Sequence, residues 1–82
     1  MEETAAIQEK IIQRISAILG IPPETVNEDS KFIEDLNAKS GNMSQLVNYL
    51  EDEYDVEVAY MDFRRKKTVG QAAEYIASLL DE

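Results

Sequence analysis

The strongest stop signal in the sequence is the segment Gly20 to Pro23, which reads Gly-Ile-Pro-Pro. Before it, apolar residues recur every three or four positions: Ile7, Ile11, Ile15, Ile18 and Leu19. This is the period of one face of a helix, and we predict a helix from about Glu3 to Leu19. Gly20 suits the left-handed conformation that closes a helix, and two successive prolines cannot continue one. The chain must therefore leave its first helix here.

The residues from Pro22 to Asn37 keep no helical or strand period, and we interpret them as one long connection. Connections longer than about 12 to 15 residues are uncommon in compact domains unless they are functional. Four apolar residues interrupt this one: Val26, Phe32, Ile33 and Leu36. Because such residues are usually buried, we predict that they anchor the connection to the core.

A second helix is predicted from about Ser40 to Glu53. Its apolar face consists of residues at three- and four-residue steps: Met43, Leu46, Val47, Leu50 and Tyr54. Ser40 then lies at the cap or in the first turn. Serine is a favoured N-cap because its oxygen accepts an unpaired backbone N–H, so capping is one interpretation of Ser40. A functional role for its hydroxyl is the other.

Two further helical segments complete the predicted fold. A short helix or turn is expected over about residues 58–66, with one or more of three apolar residues facing inward: Val58, Met61 and Phe63. Thr68 and Gln71 fit the capping box that opens a last helix. The apolar face of that helix is Val69, Ala72, Ala73, Ile76, Leu79 and Leu80. We expect a single all-α domain over residues 1–82, a small four-helix bundle with three main helices, one short helix and a long first loop.

The composition excludes several classes of function. The sequence contains neither cysteine nor histidine, so it lacks a thiol nucleophile, a thiolate metal site and the usual general base near neutral pH. We expect a protein that is not an enzyme, and any thiol chemistry must come from a cofactor. The net charge of −9 disfavours nucleic acid and anionic membrane surfaces and favours basic protein partners. No apolar run approaches about 18 residues, so no membrane insertion is expected. We also expect a cytoplasmic monomer.

Two runs of charge stand out. Residues 51–57 contain five acids but lack the glycine that a calcium-binding loop requires, so we predict no metal site there. A solvated acidic face and a partner-docking face are compatible interpretations. Arg64 to Lys67 gathers half of the basic residues into four positions. Such a run is usually a solvated edge, and a specific site for an anion or a partner is the alternative.

Several short segments occur in the order and spacing of one protein family. They are Leu19-Gly20-Ile21, Val26 through Ser30 to Leu36, Leu46-Val47, Leu50-Glu51, Glu53 to Val58, Thr68-Val69, Ala72-Ala73 and Tyr75-Ile76. Residues 35–41 read Asp-Leu-Asn-Ala-Lys-Ser-Gly, which is similar to that family's Asp-Leu-Gly-Ala-Asp-Ser-Leu motif. From about Ile7 to Leu80 the chain resembles the acyl carrier proteins. In the motif, Ser40 holds the position of the modified serine.

The resemblance implies a cofactor and partners. In acyl carrier proteins this serine carries 4′-phosphopantetheine, which a separate magnesium-dependent phosphopantetheinyl transferase takes from coenzyme A. The arm ends in a thiol that holds acyl groups as thioesters for partner enzymes with basic docking patches. Attachment at Ser40 would supply the thiol that the sequence lacks and imply a carrier in fatty-acid, lipid or specialised biosynthesis. The implied partner-docking residues are Lys39, Gly41, Met43, Glu51, Asp52, Glu53 and Asp55.

Four residues depart from the family's pattern. Asn37 replaces a glycine, and asparagine tolerates a left-handed turn. Lys39 replaces an aspartate that caps the helix and assists recognition by the transferase, and its positive charge opposes the helix dipole. Gly41 replaces an apolar residue that partners touch, and Lys66 stands where an apolar residue is common. These changes imply a specialised carrier with dedicated enzymes.

An alternative is an unmodified, carrier-like module that binds partners only through its acidic face, with Ser40 as a helix cap. An independent enzyme is not expected, because no histidine–nucleophile pair, phosphate loop or pair of catalytic carboxylates can be assembled. If the fold holds a cavity for the acyl chain, we expect five residues to border it: Phe32, Met43, Leu46, Val47 and Ile76.

Overall fold

The computed structural model describes residues 4–81, and it is helical as predicted. The helices are, in chain order, α1 (Thr4–Leu19), α2 (Ser40–Tyr54), α3 (Tyr60–Arg65) and α4 (Val69–Leu80). The sequence prediction of three main helices and one short helix is confirmed. The predicted start of the first helix at Glu3 lies outside the described residues.

The end of α1 follows the predicted stop signal. Gly20 has φ of +70°, in the left-handed region. The N–H of Ile21 then bonds back to the carbonyl oxygen of Ser16 at 3.0 Å, which satisfies one of the last carbonyls of the helix. Pro23–Thr25 forms a short 3₁₀ turn and the chain enters the long connection.

The core lies between α1, α2 and α4, with α1 packed against both of the others. Each helix contributes its predicted apolar face. The buried residues are Ile7, Ile11, Ile12 and Ile15 from α1, Met43, Leu46, Val47 and Leu50 from α2, and Val69, Ala72, Ala73 and Ile76 from α4. A large apolar side chain stabilises the fold by about 1.5 to 3 kcal/mol when fully buried, so these faces hold the three helices together.

The long connection is joined to the start of α4 by backbone hydrogen bonds, which we call the loop–α4 link. Phe32 N–H donates to the carbonyl oxygen of Lys67 at 3.0 Å, and Val69 N–H donates to that of Ser30 at 3.1 Å. Gly70 N–H donates to the carbonyl oxygen of Glu28 at 2.9 Å. These bonds satisfy backbone groups of the loop and fix its position.

The apolar anchors of the connection were predicted correctly except for one. Val26 and Phe32 are buried and Leu36 packs partly against the core. The prediction for Ile33 is wrong, because its side chain is 48% exposed. Residues 31–36 form a tight turn in which Leu36 N–H bonds to the carbonyl oxygen of Lys31 at 3.0 Å. With Phe32 pointing into the core from this turn, its neighbour Ile33 faces outward.

The short helix α3 closes one side of the bundle against α2. Phe63 is fully buried, with its ring centroid 6.2 Å from that of Phe32, and Val58 is also buried. Met61 instead faces outward and is 60% exposed. A helix this short is stabilised mainly by tertiary packing, so Phe63 is its principal anchor.

The start of α4 uses the predicted cap with one difference. The hydroxyl of Thr68 accepts the N–H of Gln71 at 3.1 Å, as expected. The side chain of Gln71 reaches back to the N–H of Lys67 at 2.9 Å, one residue earlier than in a regular capping box. Within residues 4–81, no helix is long and apolar enough to cross a membrane.

Candidate functional site

The turn that precedes α2 is held by its own backbone. Asn37 N–H bonds to the carbonyl oxygen of Ile33 at 3.1 Å, and Ala38 N–H bonds to that of Phe32 at 2.9 Å. Asn37 has φ of +58°, the left-handed conformation that a glycine adopts without strain and that asparagine tolerates better than most residues. Ala38 is buried, so the turn is anchored immediately before α2.

Ser40 is the first residue of α2, and Lys39 occupies the N-cap position. The N–H of Lys39 donates to Oδ1 of Asn42 at 2.8 Å, so a side chain inside the first turn caps the helix. The side chain of Ser40 is exposed, and its hydroxyl has no hydrogen-bond partner among the described residues. Ser40 therefore does not act as the helix cap. Its oxygen is free to react.

The surroundings of Ser40 favour negative charge. The backbone N–H groups of Ser40 and Gly41 have no acceptor within residues 4–81, as is usual at a helix start. The aligned peptide dipoles add a positive potential there, and Lys39 adds a full positive charge. No atom lies within 4 Å of the place where a Cβ on Gly41 would stand. A phosphodiester on Ser40 would meet favourable electrostatics at an exposed position, so the residues fit a phosphate-linked arm.

The chain itself offers no group to activate this hydroxyl. None of the described residues forms a hydrogen bond with Ser40 Oγ that would take up its proton, and the sequence has no histidine. A reaction at this hydroxyl would therefore need a base supplied from outside the chain. Within the described part of the chain, no group of three or more acidic residues is arranged to hold a metal ion.

The acidic residues proposed for docking lie toward the far end of α2. Asp52 is about 18 Å along the helix from Ser40 at 1.5 Å per residue. Asp52 and Asp55 are exposed, and Asp55 ends the helix in the left-handed conformation with φ of +54°. Glu51 is half-buried and its carboxylate accepts the N–H of Val58 at 2.8 Å. This bond fixes the chain as it leaves α2, a structural role that the sequence did not indicate.

Glu53 also has a partner within the molecule. Its carboxylate lies 2.6 Å from the ammonium of Lys10 on α1. The hydrogen bond to Glu53 is the main cause of a raised pKa for Lys10. Of the four acids, Asp52 and Asp55 are thus the ones whose carboxylates have neither an ion pair nor a hydrogen bond among the described residues.

A cleft of about 450 Å³ opens beside the start of α2, and we call it the α3 cleft. Its apolar lining consists of Phe32, Ile33, Met43 and Met61. Its charged lining consists of Lys31, Glu34, Arg64, Arg65, Lys66 and Lys67. Phe32 and Met43 were predicted to border a cavity and do so here. The other three residues of that prediction do not line the α3 cleft, because Leu46, Val47 and Ile76 are in the core.

Comparison with known proteins identifies the family. A family model described as "Phosphopantetheine attachment site" matches residues 9–76. The acyl carrier protein of Chlamydia felis is 43% identical over 58 residues, which cover 71% of this chain and 74% of that protein. The chain belongs to the acyl carrier protein family.

Other acyl carrier proteins show the same likeness. The Chlamydia muridarum protein is 43% identical over 58 residues, covering 71% of this chain and 75% of that protein. The acyl carrier protein of Chlamydia caviae is 41% identical, with the same coverage of both chains. The resemblance inferred from the sequence motifs is confirmed.

Family membership decides between the functional alternatives. The chain is a carrier, not an enzyme, and it carries acyl groups on a covalently attached 4′-phosphopantetheine. When bound, this arm supplies the thiol for thioester chemistry. The unmodified interaction module is not favoured.

Two contacts of the site were not anticipated from the sequence. One is the bond between Lys39 N–H and Asn42, for which an amide side chain three residues after the cap was the available signal. The other is a hydrogen bond of 3.3 Å from the phenol of Tyr60 to the carbonyl oxygen of Ser40. It joins α3 to the start of α2 and has no sequence signature.

Proposed function

We propose that Ser40 is the residue that carries 4′-phosphopantetheine. The observation that carries this proposal is its exposed, unpartnered hydroxyl on the first residue of α2, within the stretch that resembles the family motif. Two other serines, Ser16 and Ser30, are buried. Ser78 is exposed, but its hydroxyl donates to the carbonyl oxygen of Tyr75 at 2.6 Å.

The reaction at Ser40 is a transfer from coenzyme A catalysed by a phosphopantetheinyl transferase. Ser40 Oγ attacks the phosphorus next to the pantetheine unit and forms a new P–O bond. The bond from that phosphorus to the bridging oxygen of the diphosphate breaks, and adenosine 3′,5′-bisphosphate leaves. The transferase takes up the serine proton, because this chain has no base beside Ser40. The product is a phosphodiester at the positive end of α2.

Intact-protein mass measurement tests the attachment site. The purified protein is incubated with coenzyme A and a transferase of broad specificity, and one 4′-phosphopantetheine addition is expected. Ser40→Ala should abolish the addition. Ser44→Ala is the matched control, because Ser44 is an exposed serine one turn further along α2, and this variant should be modified normally. Modification of Ser40→Ala, or none of the wild type when the transferase modifies another carrier in parallel, would contradict the proposal.

We also propose that partner enzymes dock on α2 through basic patches, with the exposed Asp52 and Asp55 as the principal charges. Lys39 and Gly41 are exposed at the attachment end of the same helix, where a docked enzyme would meet them. Met43, the third residue expected there, is buried, so its contribution to docking should be small. Because Glu51 and Glu53 are engaged within the molecule, their contribution to docking should be smaller. Charges of this kind mainly accelerate encounter.

Kinetics at two salt concentrations test this docking surface. The double change Asp52→Asn with Asp55→Asn should lower kcat/KM for acyl loading several-fold at low salt and much less at high salt, where screening is strong. Glu74→Gln with Asp81→Asn, at exposed positions on α4 and at its end, removes the same charge away from α2 and should have little effect. An equal effect of both changes would show that total charge, not the α2 surface, governs loading.

The carrier is proposed to act in the cytoplasm as a monomer with dedicated partner enzymes. Coenzyme A, the donor of the arm, is an intracellular metabolite, which supports the location. In the described part of the chain, Ile33 and Met61 are the exposed large apolar residues, and so small a patch supports a monomer. Lys39 and Gly41 differ from the family motif at positions that partners touch, which supports a specialised set of enzymes in fatty-acid, lipid or other acyl biosynthesis.

A further inference from the structure

The α3 cleft has an apolar interior that is open to the outside. Phe32 and Met43 are buried at its base, while Ile33 and Met61 flank it with about half or more of their surface exposed. These last two are the large apolar residues that the described part of the chain leaves exposed. A small apolar ligand would cover surface that is otherwise in contact with water, which is favourable.

The charge of the cleft is opposite to that of the protein as a whole. Five of the eight basic residues of the sequence line it, with one acid, Glu34, although the net charge of the chain is −9. Lys31 pairs with Glu34 at 3.9 Å and Arg65 with Asp62 at 3.9 Å. The ammonium of Lys66 lies over the ring of Tyr75, 5.5 Å from its centroid. Arg64 and Lys67 have neither an ion-pair partner nor a ring contact among the described residues. They are the charges available to a ligand.

The walls of the cleft are fixed by hydrogen bonds. The loop–α4 link holds Phe32 against Lys67 on one side. On the other side, the phenol of Tyr60 ties α3 to the carbonyl oxygen of Ser40. The cleft is therefore largely formed before any ligand enters, which reduces the entropy lost on binding.

The cleft also lies close to the attachment residue. Met43, in its base, follows Ser40 by three residues on α2, and residues so spaced are neighbours on a helix surface. A group tethered to Ser40 has a high effective concentration at this cleft, so even weak contacts there would be occupied.

We propose that the α3 cleft selects acyl groups that end in a carboxylate. The apolar carbons of the acyl chain lie against Met43 and Met61, and the distal carboxylate pairs with Arg64 and Lys67. An ionised carboxylate and a guanidinium form strong charge-assisted hydrogen bonds, whereas a methyl end would leave both cations without a partner. The proposal rests on attachment of the arm at Ser40, and it names the class of cargo that this arm holds.

Thermal unfolding of matched acylated proteins tests the proposal. The arm is loaded with adipoyl or with its monomethyl ester, which has nearly the same shape but no charge. The adipoyl form should melt about 4 °C higher than the ester form. The difference should disappear in the double variant Arg64→Gln with Lys67→Gln. It should remain in Lys10→Gln with Arg14→Gln, which removes the same charge outside the cleft lining and away from Ser40.

Several results would overturn the proposal. They are equal melting temperatures of the two wild-type forms, a difference that persists in the Arg64 and Lys67 double variant, and a difference that the control variant also loses. Equal melting temperatures are also what is expected if the cations serve a docking protein instead of the cargo.

A second measurement does not depend on Ser40. If intact mass shows that Ser40 is not modified, the attachment proposal fails by itself, and the cleft is probed with free S-adipoyl pantetheine and its methyl ester. Methyl resonances of Ile33 and Met61 should shift with the acid and much less with the ester. They should not shift in the Arg64 and Lys67 double variant. Equal shifts with both compounds, or none, would overturn the cargo assignment.

Discussion

The phenol of Tyr60 donates a hydrogen bond of 3.3 Å to the carbonyl oxygen of Ser40, and so joins α3 to the residue proposed to carry the arm. Tyr60→Phe removes this bond and keeps the ring. We expect a loss of about 0.5 to 1 kcal/mol in the free energy of unfolding, because the bond is long and exposed to solvent. Hydrogen exchange should become faster at the N–H of Phe63, which donates to the carbonyl oxygen of Ala59 in the first turn of α3. Unchanged exchange there would mean that Phe63 packing alone holds α3.

Lys39 and Gly41 set the chain apart from the family motif. Lys39→Asp with Gly41→Leu should raise modification or acylation by enzymes that serve ordinary fatty-acid carriers. The charge changes by two units beside Ser40, and each substitution should contribute about 1 kcal/mol, or several-fold in rate. The leucine has room, because nothing lies within 4 Å of the added Cβ. Steady-state rates with such enzymes provide the measurement.

The control for this double change is Gly41→Ala alone, which orders the helix without restoring the charge or a large side chain. Equal recovery of activity in the control would show that helix order governs recognition. If neither variant gains activity, specificity lies elsewhere, and Arg64 to Lys67 is the next region to test.

Replacing Gly20 and replacing Gly41 with alanine should change the stability of the fold in opposite directions. Gly20→Ala forces a side chain into the left-handed conformation and should destabilise the fold by about 1 to 2 kcal/mol. Gly41→Ala replaces an exposed helical glycine and should stabilise it by up to about 1 kcal/mol. Urea unfolding of the two variants measures both effects. A loss of stability in Gly41→Ala would contradict the open space that the structure shows at this residue.

Ser16 is a buried hydroxyl without a hydrogen-bond partner in the described residues. Burying such a group costs about 1 to 3 kcal/mol when no bond compensates, so Ser16→Ala should stabilise the protein by about 1 kcal/mol. The melting temperature provides the measurement. Ser44→Ala, on the exposed face of α2, is the control and should change it little. A drop in melting temperature for Ser16→Ala would indicate that the hydroxyl makes an unobserved bond, for example to a water molecule.

The pair between Lys10 and Glu53 predicts a dependence of stability on alkaline pH. The hydrogen bond to Glu53 raises the pKa of Lys10 above its ordinary value of 10.5. The pKa of Lys10 is higher in the folded state than in the unfolded state. The contribution of the ion pair to stability is therefore complete at pH values below the unfolded-state pKa of Lys10. It is lost as pH rises through the folded pKa. Urea unfolding between about pH 9 and pH 11.5 should show this loss in the wild type.

Lys10→Met is the control for this titration, because it removes the ammonium group and leaves the rest of the chain unchanged. The variant should lose less stability than the wild type over that interval. High salt should shrink the difference, because both side chains are exposed. Identical pH profiles would show that the pair contributes nothing measurable.

The helices could be predicted from the sequence because their signals are local. The apolar period of residues 7–19 and the Gly20 stop involve residues close together in the chain, and both match the structure. Ser40 could be placed at the start of α2 for the same reason. Whether Ser40 caps the helix could not be predicted from the sequence. Lys39 takes the cap position instead, and the side chain of Asn42 makes the capping bond to the N–H of Lys39.

The contacts that could not be predicted join distant parts of the chain. The loop–α4 link consists of backbone bonds, and backbone groups are the same in every residue, so no sequence pattern marks it. Ile33 was assigned to the core on its residue type alone, but the turn that buries Phe32 leaves Ile33 outside. The acidic run likewise gave no sign that Glu51 would bond to Val58 N–H while Asp52 stays free.

The loop–α4 link also has a consequence for the order of events during synthesis on the ribosome. The turn that presents Ser40 is held through Phe32 by Lys67, and through Ser30 by Val69, residues that are translated much later. Until that part of the chain has emerged, the turn lacks these bonds and its backbone groups remain in water. We expect a nascent chain that ends before Lys67 to be a poor substrate for the transferase, so that the arm is added only to a chain able to complete its fold.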